Sequence, residues 1–457
     1  MYDWTRMCVG MLGAGIENIS LTRYLLAQGA KVIVYDQNDP ALVGEKMGNL
    51  ESDNLIIVAG KNYVEKLSKH DLFFRSPGMP LGYAQEITKQ NGKLSSAMQL
   101  FFELCPAKII GVTGTKGKGT VSSLIFEILS RRKSNVYLAG NIGRAPFDFI
   151  DDLKENDWVV MEISSFQLED MTLSPHIAVV LNITPDHLAA STQNNPNYHK
   201  NFDEYVMAKK KILEYQKMDD YAVIVASEIG KQIKKVTAAE VYVVAGDSRS
   251  GCVIIENKFV VRLGGKLVEI IGTNEVKLLG QHNLINIQAA IMASFLAGAN
   301  RDDIGQVVAD FKGLPHRLEF VREVGGKEFY DDSYATDPDA AVAAIRSFIQ
   351  PVVLICGGAS KGADFDELAQ AIKASSVKAA ILMGDEADRI EKALEEANAD
   401  LALEKNLVGM KDIVGRANEL AKIGDVVLLS PGCASFGLFE SARDRGEQFQ
   451  RTVNGIK

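Results

Sequence analysis

The stretch Lys108–Leu129, KIIGVTGTKGKGTVSSLIFEIL, decides the fold. A β-branched run (Ile109, Ile110, Val112) stops at a turn holding three glycines and two lysines: Gly114, Thr115, Lys116, Gly117, Lys118, Gly119 and Thr120. Val121, Leu124, Ile125, Ile128 and Leu129 then recur at spacings of three and four, the period of a helix. Strand, glycine turn and helix together form a phosphate cradle. Glycines let backbone N–H groups face an anion, and the helix N-terminus adds unpaired donors and the positive end of its dipole. Lys118 puts a point charge on the outer phosphates, and a following hydroxyl supplies a Mg²⁺ ligand. The loop departs from an ordinary Walker A sequence. Val112 stands where the first glycine belongs, and Gly119 follows the lysine, so the hydroxyl arrives one residue late, at Thr120. The bland alternative, a tight turn in an α/β sheet, leaves both lysines without a role.

At 457 residues the chain is too long for one ordinary core, and two to four domains are expected. Hydrophobic content of 47% with 24% charged residues describes a soluble globular protein. No apolar run approaches the length of a membrane span, and no leader pattern precedes the first strand, so no membrane insertion and a cytoplasmic location are expected. Five scattered cysteines without a C-x-x-C pair point to reduced thiols. A net charge of −9 argues against nucleic acid as a partner.

Upstream, CVGMLGAGIENISLTRYLLAQGAKVIVYD reads as strand, Gly13-Ala14-Gly15 turn with Ile16 opening a helix, and a strand ending on Asp36. That is a dinucleotide-type βαβ with an acid placed for a ribose, except that Asn18 stands at the third glycine position. Two readings compete, an NAD(P) site and a related fold holding another diphosphate. Ser76, Pro77 and Gly78 form a second turn at a strand end. Downstream, Asn141 follows a short strand, and DWVVMEISSFQLED is a buried strand ending on Glu162, a carboxylate where an NTPase needs its metal ligand. IAVVLNITPDHL brings Asp186 and His187 to another strand end as candidate metal ligands. Lys209-Lys210-Lys211 reads on composition as a solvated helix face. Residues 219–276 read as a β-rich flank, and Gly313, Leu314 and Pro315 break a helical pattern at a domain boundary. The last third alternates apolar strands and helices, implying a mostly parallel sheet, with Asp337 and Pro338 starting a helix. Lys361 and Ser435 fall at its strand ends.

GTKGKGT, GNIG, MEISSFQLE, NITPDHL, YVMAKKKI, GQHNLINIQAA, GLPHRLE, DDSYATDPDA, GGASKGADF and SPGCASFGLF together resemble the Mur ligase family, in its order and over essentially the whole chain. The nearest branch adds D-glutamate to UDP-N-acetylmuramoyl-L-alanine. The resemblance implies an α/β protein of three domains: a Rossmann-like UDP-binding domain (1–97), a central P-loop ATPase domain (98–314) and a C-terminal Rossmann-like domain (315–457) that receives the amino acid and closes over the site. It implies a monomer. The cofactors would be ATP with two Mg²⁺ ions, Mn²⁺ being an alternative.

Residue roles follow the same resemblance. Gly13, Gly15, Ile16, Asp36, Ser76, Pro77 and Gly78 would hold the UDP moiety, and Asn141, Ser164 and Gln167 the muramoyl part. Gly114 to Thr120 would cradle ATP, with Asn286, Arg317 and Asp332 on the nucleotide. Thr120, Glu162, His187 and Lys209 would hold metal, Lys209 as a carbamate. Lys118, His187 and Lys209 would be catalytic, and Thr336, Lys361, Ser435 and Phe436 would take the acceptor. Tyr334 stands where the family usually has lysine, Gly437 where an acid is common and Ala442 where an aromatic is common. The overall motif match implies D-glutamate as the acceptor, and these departures leave another, such as L-glutamate, as the alternative. A folylpolyglutamate-type ligase shares the G-K-G-[ST] loop but lacks such a first domain. A nicotinamide-dependent dehydrogenase would use Gly13, Gly15 and Asp36 and leave Lys118, Glu162 and Lys209 idle.

Overall fold

A computed structural model describes residues 2–48, 50–131, 135–188, 197–247, 249–360 and 362–456. Its contacts group into two compact units, Met1–Asn274 with Ile285–Val308, and Glu275–Leu284 with Ala309–Lys457. The first unit opens with five parallel strands, β1 (Cys8–Leu12), β2 (Lys31–Asp36), β3 (Leu55–Ala59), β4 (Leu72–Arg75) and β5 (Lys93–Ser96), in the order β3-β2-β1-β4-β5. The order reverses between β1 and β4, so a crevice for ligand lies beyond their carboxyl ends. Both glycine-bearing turns, Gly13–Gly15 and Ser76–Gly78, follow those two strands.

A second parallel sheet follows, built of β6 (Lys108–Thr113), β7 (Val136–Gly140), β8 (Trp158–Glu162), β9 (Ile177–Val180), β10 (Tyr221–Val225) and β11 (Glu240–Val244). Its order is β11-β10-β9-β6-β8-β7. The opening stretch thus supplies a central strand, and register places Val112 beside Glu162. Residues 219–276 differ from the expected flank. β10 and β11 complete the parallel sheet, and only β12 (Gly251–Ile255), β13 (Lys258–Leu263) and β14 (Lys266–Gly272) form an antiparallel meander. Both faces of β10 are buried, so its continuous apolar run, unlike an alternating one, belongs inside a parallel sheet.

The second unit carries β15 (Glu319–Val324), β16 (Lys327–Asp331), β17 (Val352–Gly357), β18 (Val377–Met383), β19 (Ala402–Glu404) and β20 (Val426–Leu429), ordered β15-β16-β20-β17-β18-β19. All neighbours are parallel except the β15–β16 hairpin. Along β17, Val352, Leu354 and Cys356 enter one core while Val353 and Ile355 enter another, so helices cover both faces. The turns after β16, β17 and β20 come together at the carboxyl end of this sheet. Asp337 caps the helix Pro338–Ile345 through the N–H of Ala340 (3.0 Å), as the sequence predicts. Among the described residues no helix is long and apolar enough to cross a membrane.

Candidate active site

The Gly114–Gly117 loop joins β6 to the helix Lys118–Ser130. Gly117 adopts φ +87°, and a Cβ there would lie 2.3 Å from Asn286 Oδ1, so only glycine lets Asn286 pack against the loop. Asn286 itself is buried. Thr115 anchors the loop to the segment after β9. Its N–H donates to the Asn182 carbonyl (2.9 Å), and its Oγ1 accepts from the Thr184 N–H (2.9 Å) and meets the Tyr205 hydroxyl (3.1 Å). Lys118 folds back to donate to the carbonyls of Gly114 (3.1 Å) and Thr115 (2.8 Å). Lys116 is exposed, while Gly119 and Thr120 lie half-buried in the first helical turn.

Lys209 is the decisive finding. It sits in the helix Phe202–Glu214, is 1% exposed, and donates to the same Gly114 carbonyl at 2.8 Å. Its Nζ lies 4.6 Å from the centre of the Tyr205 ring. The reading of residues 209–211 as a solvated face is corrected here for Lys209, which faces the core with Tyr205, Ala208, Ile212 and Leu213. Burial first, and the Lys118 charge second, push its pKa down to about 6. Lys209 is therefore largely a neutral amine at pH 7. That signal was available in the sequence, because those apolar neighbours recur at spacings of three and four around it.

Glu162, buried at the end of β8, acts electrostatically on Lys209, as does Asp186. Among the described residues its carboxylate accepts no hydrogen bond, which leaves its oxygens available to a hard cation. His187 has φ +55° and a side chain 46% exposed, and the atoms packed around it hold its imidazole below the ordinary histidine range. It lies 5.3 Å from the Phe166 ring, edge-on. Among the described residues Glu162 and His187 belong to no three-ligand cluster. Among the described residues such a cluster occurs only at His316, Glu319 and Asp331, where the Gln450 amide donates to both carboxylates (2.8 and 2.9 Å). The set around the Gly114 loop fits hard divalent ions only if phosphate oxygens complete their coordination.

Asn141 is exposed, its N–H bound to the Glu162 carbonyl (3.0 Å). Ser164 and Gln167 cap each other in the helix Ser165–Leu168, the Ser164 N–H donating to Gln167 Oε1 at 2.6 Å and the Gln167 N–H to Ser164 Oγ at 3.2 Å. The Gln167 amide also donates to Glu17, whose carboxyl burial raises to about 7. Arg75, which the sequence reading passed over, is buried and joins Glu169 (3.2 Å), Asp170 (3.1 Å) and the carbonyl of Phe166 (2.7 Å).

At the first crevice, Ser76 lies against the Gly13–Gly15 turn, since a Cβ on Gly15 would stand 2.8 Å from Ser76 Oγ. Asn18, in place of a third glycine, donates to the carbonyls of Leu12, Gly13 and Phe74 (2.9–3.2 Å). The Asp36 carboxylate is engaged by the N–H groups of Ala14 (2.7 Å) and Asn38 (2.8 Å), so it braces the turn. Ile16 is 79% exposed beside it, Pro77 accepts from Asn197 (2.7 Å), and Gly78 is open.

In the second unit Asp332 accepts from Ser430 Oγ (2.8 Å) and the Leu318 N–H (3.0 Å), and burial raises its pKa to about 7. The Arg317 guanidinium lies 5.5 Å over the Tyr334 ring. Thr336 is half-buried after β16, while Ser435 (buried) and Phe436 (65% exposed) follow β20. Lys361 lies outside the described residues.

The Mur ligase middle domain matches residues 112–294, and the Mur ligase glutamate ligase domain matches residues 316–433. UDP-N-acetylmuramoylalanine–D-glutamate ligase of Symbiobacterium thermophilum is 37% identical over 453 residues, covering 98% of this chain and 97% of that protein. The Clostridium botulinum (strain Okra) protein of the same name is 34% identical over 463 residues, covering 98% and 96%. The structure of UDP-N-acetylmuramate-alanine ligase MurC from Thermotoga maritima aligns at TM-score 0.58 with 16% identity, over 99% and 100% of the two chains, a likeness of fold.

Proposed function

The chain belongs to the Mur ligase family, a family of ATP-dependent amide ligases, and on that premise we propose that it joins the amine of D-glutamate to the alanyl carboxylate of UDP-N-acetylmuramoyl-L-alanine. In this reading the chain works as a cytoplasmic monomer in peptidoglycan precursor synthesis. Residues 1–97 bind the UDP moiety, 98–314 bind ATP, and 315–457 bind the amino acid.

A carboxylate resists amine attack because oxide is a poor leaving group. Transfer of the ATP γ-phosphoryl group to the alanyl carboxylate gives an acyl phosphate and ADP, and phosphate can then depart. Lys118 follows the transferring phosphoryl group with its positive charge, and the Gly114–Gly117 amides orient it. The amine of D-glutamate attacks the acyl carbon, and the tetrahedral intermediate collapses to amide and phosphate. Mg²⁺ held by Thr120 and Glu162, and a second ion by His187 and a Lys209 carbamate, would neutralise charge on the phosphoryl oxygens. A neutral Lys209 amine suits carbamate formation, since it can attack CO₂ and release its N–H proton. The Gly13–Gly15 and Ser76–Gly78 turns take the diphosphate. Thr336, Lys361, Ser435 and Phe436 take the acceptor, and Asn286, Arg317 and Asp332 the nucleotide.

One observation carries the substrate assignment: the 37% identity extends over 98% of this chain to a relative bearing that name. Phosphate release with ATP, UDP-N-acetylmuramoyl-L-alanine and a panel of amino acids tests it. Turnover with D-glutamate and little with L-glutamate is expected. Faster turnover with L-glutamate would overturn the acceptor assignment.

A further inference from the structure

Arg445, in the helix Ala442–Asn454, is 0% exposed, and among the described residues no carboxylate forms an ion pair with it. A guanidinium has five N–H donors, and here each meets an oxygen. Nε donates to Ser333 Oγ (3.0 Å), Nη1 to the carbonyls of Cys433 and Ala434 (both 3.2 Å), and Nη2 to those of Ser333 (2.8 Å) and Cys433 (3.2 Å). Ser333 belongs to the turn after β16, and Cys433 and Ala434 belong to the turn after β20. The Ala434 carbonyl also accepts from the Ala359 N–H (2.9 Å), in the turn after β17. One side chain thus ties together the turns that leave β16 and β20, and a backbone bond joins the turn after β17 to them.

The chemistry of this arrangement is specific. Carbonyl oxygens from two turns converge on one point and would repel each other if nothing stood between them. A planar fork with five donors satisfies them all, which a lysine ammonium with three donors on one atom cannot do. The two neighbouring carboxylates are engaged elsewhere. Asp331 meets His316 (2.7 Å) and the Ser333 N–H (2.9 Å), and Asp332 meets Ser430 and Leu318. The guanidinium is therefore hydrogen-bonded to carbonyl and hydroxyl oxygens, while Asp331 and Asp332 act on its charge only through space. Burial pushes the Arg445 pKa down to about 10, which still leaves it charged at neutral pH.

We propose that Arg445 is a positioning residue for the acceptor amino acid. It fixes the spacing between the turn bearing Thr336 and the turn bearing Ser435, and so sets how tightly an acidic amino acid is held before its amine reacts. This rests on the assignment of those turns to the acceptor. Steady-state kinetics of full-length Arg445→Lys and Ser333→Ala, with each of the three substrates varied in turn, test it. Arg445→Lys is expected to raise the acceptor KM at least tenfold. The KM values for ATP and the nucleotide sugar should stay within twofold, with a cooperative thermal transition. Ser333→Ala, which removes only the Nε contact, should raise the acceptor KM about threefold. A fall in kcat with every KM unchanged, as from a smaller folded fraction, would overturn the proposal. So would all three KM values rising together, or loss of the folded state in both variants. Failure of the substrate assignment looks different: the wild-type chain would itself ignore D-glutamate, and the same KM comparison would be made with whichever amino acid it accepts.

Discussion

Lys209 and Arg445 are both buried basic side chains that, among the described residues, have no carboxylate bonded to them, and the protein treats them in opposite ways. Among the described residues Lys209 donates to one oxygen, the Gly114 carbonyl at 2.8 Å, which a second lysine, Lys118, shares at 3.1 Å. Its pKa falls to about 6 and it gives up its proton. Arg445 has an oxygen for each of its five donors and stays charged. A buried charge that is fully hydrogen-bonded becomes a strut, whereas one that is poorly satisfied becomes a reagent. The choice of side chain matches, because a guanidinium holds its proton far more tightly than an ammonium does.

The largest effect that could break this contrast is on activity. Lys209→Arg keeps a cation at the loop but removes the amine that can form a carbamate. We predict a fall in kcat on the order of 10²–10³-fold, comparable to removing one group that stabilises a developing oxyanion. Lys209→Ala should recover part of its activity in the presence of a small carboxylate such as acetate. Wild-type protein in ¹³C-bicarbonate should show a carbamate resonance that Lys209→Arg lacks. If Lys209→Arg retained full activity, Lys209 would matter only as a charge, and the contrast with Arg445 would collapse.

Stability should move in opposite directions at the two positions. Burying Lys209 at neutral pH costs the loss of its proton, a cost that an apolar side chain of similar length does not carry. Lys209→Met should therefore raise the thermal midpoint by a few degrees while abolishing turnover. Arg445→Met removes all five guanidinium hydrogen bonds to Ser333, Cys433 and Ala434, and should destabilise its unit by about 1–3 kcal/mol for each buried oxygen left unsatisfied. Two decreases of similar size in scanning calorimetry would show that Lys209 is as well satisfied as Arg445.

A smaller effect, in pH, sharpens the same point. Between pH of about 6 and the ordinary lysine value of 10.5, the unfolded chain holds a proton on Lys209 that the folded chain does not. Wild-type stability should therefore rise with pH across that window, the contribution of Lys209 being most unfavourable below about 6. The advantage of Lys209→Met over wild type should shrink as pH is raised from 6 to 10. An advantage that stayed constant would mean that Lys209 does not titrate there.

Both residues also show what could be read from the sequence. The Gly114–Thr120 loop was legible because glycines and lysines at a strand-to-helix junction have few other uses, and the displaced hydroxyl at Thr120 narrowed the kind of loop. The parallel strands were legible from their apolar runs, whereas β15 and β19 were not. β15 is an edge hairpin strand with no fully buried residue, and β19 has only three residues. Lys209 was hidden among three consecutive lysines when read by composition. Helical period would have found it, with Ala208 before it and Ile212 and Leu213 one turn on. Arg445 lies four and eight residues before Phe449 and Val453, both wholly buried, and the same count exposes it. Asp36 was illegible for another reason. Sequence spacing places a carboxylate at a strand end, but whether it faces a ribose or the N–H of Ala14 depends on loop geometry that spacing does not encode.

The smallest predicted effect concerns the neighbour of Arg445. Asp332 is a buried carboxyl raised to about 7, and proximity suggests it as the missing counter-charge. The hydrogen bonds argue otherwise, since its oxygens meet Ser430 and Leu318 while all the guanidinium donors meet Ser333, Cys433 and Ala434. If carbonyl and hydroxyl oxygens hold Arg445 and Asp332 acts on it only through space, Asp332→Asn and Arg445→Lys should act on stability almost independently. Their coupling in a double-mutant cycle should fall below about 0.5 kcal/mol, the usual range for groups that share no contact. The folded Asp332 carboxyl binds its proton more tightly than the unfolded one, so the cost of its ionisation is absent below about pH 4 and complete only above about 7. Any gain from Asp332→Asn should accordingly appear at pH 8 and fade towards pH 5. A coupling of 2 kcal/mol or more at pH 8 that vanished at pH 5 would identify Asp332 as the counter-ion after all. Arg445 would then be one half of an ion pair instead of a strut held by neutral oxygens.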